Sequence, residues 1–125
     1  MRQAEALGGT ARQEEVVQLL VDAGVKRNLA RTVVFLARVP EANSSDLVDG
    51  AGLRQPEVSM AMQELRVAGW VAKRDERTGN KGRPMHWYRL ARPLAEIVAE
   101  IEGRLRTQVA RDAATVERLR LLAPR

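Results

Sequence analysis

Hydrophobic positions along the chain recur first at helical spacing, then at strand spacing, then at helical spacing again. In "RQEEVVQLLVDAG" (12–24), Val16, Val17, Leu19, Leu20 and Ala23 follow a helical period, and Gly24 supplies a stop. "KRNLARTVVFLARV" (26–39) repeats the pattern with Leu29, Val33, Phe35, Leu36 and Val39. Asn28 is a candidate cap for this helix, and Pro40 a terminator. "NSSDLVDGAGL" (43–53) opens on three capping residues and runs into Gly50 and Gly52, which predicts a short helix over 44–50 and a tight turn. "RQPEVSMAMQELRVAG" (54–69) predicts a fourth helix over 55–68. Pro56 stands in its first turn, Glu57 complements the dipole, and Val58, Met62 and Leu65 form an apolar stripe.

The period then shortens. "WVAKR" (70–74) and "MHWYRL" (85–90) read as two strands joined by a Gly-rich, charged tip, with Tyr88 and Leu90 on the inward face. From Pro93 to Leu122 the helical pattern returns without another proline. Leu94, Ile97, Val98, Ile101, Leu105, Val109, Val116 and Leu119 mark its stripe. Such a helix runs about 45 Å, more than a small core needs. The expected organisation is a domain over 1–92 followed by a helical segment over 93–125. The class is mainly α with a small β-hairpin (α+β).

Charge changes this picture by its position. The net charge of +5 is nearly all local. Residues 70–92 hold 7 Lys and Arg against 2 Asp and Glu, while 1–69 hold 8 against 9 and 93–125 hold 6 against 5. A basic excess gathered around one hairpin is a footprint for a polyanion; a solvated loop is the plain alternative.

Composition mainly excludes. With no cysteine there is neither a disulfide nor a thiolate ligand, and with His86 as the one histidine no metal site is expected. "GNKGRP" lacks Walker spacing, and Ser44, Ser45 and Ser59 have no motif around a base. No catalytic residue, cofactor or small-molecule effector is indicated. The N-terminal stretch has no apolar core of a leader and no run approaches 18 apolar residues, so a cytoplasmic protein with no membrane partner is expected.

The order helix, helix, short helix, turn, helix, hairpin is the winged helix-turn-helix arrangement. There a short brace helix presents the next helix to the DNA major groove. The face of 55–68 opposite its apolar stripe carries Gln55, Ser59, Met60 and Gln63, with Arg54 at its start. Gln suits adenine, Arg suits guanine, and Met60 or Pro56 suits a thymine methyl. "SSDLVDGAGLRQPEVSMAMQELRVAGWVAKR" followed by "GRPMHWYRL" resembles the DNA-binding domains of prokaryotic winged-helix regulators, above all archaeal regulators of the TrmB and MarR/ArsR type. P-x-V-S-x-x-x-x-x-L-x-x-x-G-W-V resembles their recognition helix entering the first wing strand. G-R-P-x-x-x-Y-x-L resembles the second strand, through Gly82, Arg83, Pro84, Tyr88 and Leu90.

The resemblance covers about residues 26–100. It implies Gln55, Pro56, Ser59, Met60 and Gln63 at the major groove, and Arg77, Lys81 and Arg83 on the wing at the backbone; Arg74, at the wing's base, is expected to contact DNA with them. It implies a transcriptional regulator of double-stranded DNA acting as a homodimer, with the 94–119 stripe as the dimer interface and recognition helices about 34 Å apart. The chain lacks the sugar-binding domain of larger TrmB-type proteins and the Cys or His clusters of metal-sensing ArsR-type proteins. The alternatives are a winged-helix protein-interaction module of a transcription or replication assembly, RNA binding through the basic tip, and a last helix folded back on the first.

Overall fold

A computed structural model describes residues 10–77, 82 and 84–125. The chain divides into two compact units, the first ending at Leu94 and the second spanning Ala95–Arg125. The first contains α1 (Thr10–Asp22), α2 (Arg27–Leu36), α3 (Ser44–Ala51), α4 (Gln55–Val67), β1 (Val71–Glu76) and β2 (Met85–Leu90). The long α5 (Leu94–Leu122) makes up most of the second.

The caps explain why the elements begin where they do. The Asn43 side chain accepts from Asp46 N at 2.8 Å, and the Asp46 carboxylate accepts from Asn43 N at 3.0 Å, a reciprocal capping box that starts α3. Gly52 ends α3 at φ +70°, a left-handed conformation glycine adopts without a Cβ clash, and so turns the chain through 52–54 into α4. Pro56 occupies the first turn of α4, as its missing N–H allows. The α2 helix departs from expectation at both ends. Its N-cap is Lys26, with no side-chain hydrogen bond, and Asn28 instead donates to Glu57 of α4. It finishes at Leu36, well before Pro40.

The core is mostly aliphatic, with Trp70 and Tyr88 added from the hairpin and α2 at its centre. That helix packs against α1, α3, α4 and β2, and buries Ala30, Thr32, Val33, Val34 and Leu36. The Thr32 hydroxyl donates to Asn28 O at 2.7 Å, so its burial leaves no orphaned donor. From α4 the core receives Val58, Ala61, Met62 and Leu65, as the stripe requires, and from α3 Leu47. On α1 only Val17 and Leu20 are buried. Leu19, expected among the apolar set, is 60% exposed, and Val16 is half-buried.

The hairpin is antiparallel and pairs Val71 with Leu90 through to Glu76 with Met85. Its first strand starts one residue later and runs two further than the 70–74 expected, with Trp70 buried just before it and Asp75 and Glu76 paired to His86 and Met85. Tyr88 is buried on the inward face, and Leu90 is half-buried. Ala42 adds a bridge that the sequence pattern did not reveal: Ala42 N donates to Tyr88 O at 2.9 Å and Tyr88 N to Ala42 O at 2.8 Å. The residue just before the α3 cap is thereby stitched to the second wing strand.

Gly50, in the last turn of α3, faces the Phe35 ring so closely that a methyl group there would overlap it. Gly50→Ala sets an overpacking cost of about 1–3 kcal/mol against a helix-propensity gain of up to about 1 kcal/mol. Thermal unfolding should show a net loss that shrinks in a Phe35→Ala background; equal losses in both backgrounds would exclude the ring as the cause.

Candidate nucleic-acid interface

The outward face of α4 is built by the same stripe that anchors it. At about 100° per residue, Val58, Ala61, Met62 and Leu65 occupy one arc of the helix. Gln55, Pro56, Ser59, Met60 and Gln63 occupy the remainder, and all five are exposed, Met60 at 65%. Arg54 extends from the start of this face, its guanidinium 3.5 Å from Glu57 and its side chain mostly open to solvent. Sequence reasoning passed over Arg66, which is exposed and shares the face with Gln55, Ser59 and Gln63. Its signal lay in the spacing, since 55, 59, 63 and 66 follow a helical repeat.

Side chains beneath this face hold its angle. Arg54 N donates to Glu57 Oε1 at 2.8 Å, and Asn28 Nδ2 donates to Glu57 Oε2 at 3.3 Å. Lys26 Nζ meets Glu64 Oε1 at 2.9 Å. These contacts tie the start of α2 to two points on α4 that lie about two turns apart. The backbone and side-chain donors of Arg54 hold the Glu57 carboxyl below its ordinary range.

At the base of the wing the cations are already occupied. Arg74 grips Glu41 with Nε and Nη2, reaches Glu76 Oε2 with Nη1 at 3.0 Å, and lies 5.6 Å from the centre of the Trp87 ring, its cross-strand neighbour. This bidentate fork pushes the Arg74 pKa upward and holds Glu41 below its ordinary range. It joins the first wing strand to the residue beside the Ala42 bridge. Lys73 Nζ lies 3.9 Å from Asp75, whose carboxylate also meets His86 Nδ1 at 2.6 Å. The His86 hydrogen bond is the main cause that holds the Asp75 carboxyl low, with Lys73 and Arg66 adding to it.

Lys73 and Arg74 are thus matched by Asp75 and Glu76 on their own strand. Subtracting these 2 from the 7 cations of residues 70–92 leaves Arg77, Lys81, Arg83, Arg89 and Arg92, equal to the local excess of +5. Arg77 is exposed and ion-pairs with none of the described residues. Lys81 and Arg83 lie outside the described residues. Among the described residues no three His, Asp or Glu side chains gather as metal ligands, and no helix is long and apolar enough to cross a membrane.

On α5, Ile97 and Ile101 are buried and Leu94 is half-buried, while Val98, Leu105, Val109, Val116 and Leu119 are exposed. The eight stripe residues therefore fall into two sets with different surroundings.

No family model matches the chain, and no curated protein matches it. Solved structures do. A transcriptional regulator superposes with a TM-score of 0.55 at 20% identity, over 90% of this chain and 75% of its own. TrmBL2, an archaeal chromatin protein with a novel mode of DNA binding, gives 0.55 at 20% identity over 90% of this chain; the match spans only 42% of TrmBL2. A MarR family transcription regulator gives 0.53 at 17% identity, over 87% of this chain and 76% of its own. With its brace helix, exposed fourth helix, two-stranded hairpin and long last helix, the chain has the winged helix-turn-helix fold of these regulators.

Proposed function

We propose that this protein is a sequence-specific regulator of transcription that binds double-stranded DNA. In this reading α4 lies in the major groove and the wing tip, residues 75–84, lies on the backbone or in the adjacent minor groove. One observation carries it: α4 buries an aliphatic rail and turns Arg54, Gln55, Ser59, Gln63 and Arg66, all donors to base edges or phosphate, outward along a single face. The regulators of like fold support the same reading.

Division of labour follows from chemistry. Gln55 and Gln63 each offer an amide for bidentate contact with adenine, and Arg54 offers a fork for guanine. Met60 and Pro56 provide apolar surface for a thymine methyl. Arg77, Lys81 and Arg83 neutralise phosphate without reading sequence. Arg74 has a different task here from the phosphate contact expected of it: clamped to Glu41 and Glu76, it sets the wing's angle. The protein acts as a homodimer through the exposed part of the α5 stripe, so its operator is a paired half-site.

Duplex affinity should fall steeply with salt as counterions are released. Changing Arg77, Lys81 and Arg83 together to Ala should weaken binding to every sequence and flatten the log–log salt slope by about 2–3. A triple variant with the wild-type slope in fluorescence anisotropy titrations would remove the wing from the interface. Selection of bound genomic fragments tests duplex preference and half-site spacing together.

A further inference from the structure

We propose that α5 pairs with α5 of a second copy in antiparallel orientation, with the two Asp112 side chains meeting at the two-fold axis. This rests on the homodimer reading above and supplies its geometry. From residue 102 onward every side chain of the helix is exposed. Leu105, Val109, Asp112, Val116 and Leu119 fall within an arc of about 80° at helical spacing. Asp112 is the single carboxylate interrupting an otherwise apolar seam.

The order of residue types along the seam is the same in either direction, Leu, Val, Asp, Val, Leu, at intervals that alternate between four and three residues. An isologous interface needs a surface complementary to itself, and this pattern provides one in reversed orientation. With Asp112 on the axis, Leu105 lies opposite Leu119 of the second copy, and Val109 lies within one residue, about 1.5 Å, of Val116. The same register brings Glu102, at the edge of the seam, within about 3 Å along the axis of Arg120 of the second copy.

The centre of the seam is polar by construction. Gln108 Nε2 donates to Asp112 Oδ1 at 2.9 Å, so the carboxylate enters the seam with one donor already in place. Two carboxylates at the axis repel unless they share a proton, so this layer lowers the stability of the pair, and it specifies the register because a slipped pairing sets the carboxylate against leucine. Such a device selects one arrangement from the several that a plain leucine stripe permits.

The chain contains no cysteine, so introduced thiols report on this geometry alone. Glu102→Cys and Arg120→Cys flank the seam and leave its apolar residues intact. Each variant is examined alone and co-expressed with the other as the full chain, first by sedimentation and then with a short bismaleimide. In the proposed register the two 102 positions are about 30 Å apart and the two 120 positions about 24 Å apart, so neither variant should cross-link alone. Co-expressed, they should cross-link efficiently. A dimer in which Glu102→Cys cross-links by itself would overturn the antiparallel arrangement and leave the homodimer standing. A dimer with no cross-link in the mixture would overturn the register. A monomer at micromolar concentration would overturn both this geometry and the homodimer.

Discussion

Gln55→Glu combined with Gln63→Glu should lower duplex DNA affinity by about a hundredfold or more, because like-charge juxtaposition costs several kcal/mol. Both amides are exposed on the outward face of α4, away from the Val58, Met62 and Leu65 rail. Thermal unfolding should therefore stay close to wild type, and Glu at position 55 even complements the positive end of the helix dipole. The comparison with Gln→Ala at the same positions separates two effects. Alanine removes a base contact worth about 1–3 kcal/mol at one position, whereas glutamate also places a charge against phosphate. Anisotropy titrations on a selected duplex measure both. Full binding by the double Glu variant would mean that another surface meets the nucleic acid.

The second large effect concerns the brace helix. Leu47 is 0% exposed, on a helix that packs against both α2 and α4. Leu47→Ala should cost about 2–5 kcal/mol, combining lost transfer energy with the cavity left behind. Small domains are stable by only about 5–15 kcal/mol, so urea unfolding should register a large drop in midpoint. The loss acts on function through orientation, since α3 is what holds α4 outward. DNA affinity should fall for all sequences alike, without a change in base preference at single positions. An unchanged midpoint would mean that α3 is not the brace, and altered base preference would place Leu47's influence in the groove itself.

These two substitutions divide along the line between pattern and assembly. Both the Gln55 and Gln63 face and the Leu65 rail were visible in the spacing of α4, because a helix that buries one arc must expose the other. A cap for α3 was legible in the run Asn43, Ser44 and Ser45, while the choice of Asn43 and its reciprocal partner Asp46 came from the structure. Arg74 was not legible as a clamp: Glu41 is 33 residues away in sequence, and only the hairpin's docking beside the Ala42 bridge brings the carboxylate to it. Asn28 misled for a related reason. A residue of capping type at the start of a helix also serves as a donor to a neighbouring helix, and here Glu57 of α4 takes that donor. Leu19 illustrates the limit of periodicity, which identifies a stripe without stating how wide a partner will cover it.

The sequence by itself determined the element order, the apolar rails, the local basic excess and the apolar stripe on the last helix, because each depends on residue types repeated at short range. Only the tertiary structure decided which of those charges remain available. Ion pairing is a matter of distance in space, and folding sets Lys73 and Arg74 among carboxylates at the wing's base while Arg77 stays exposed beyond them.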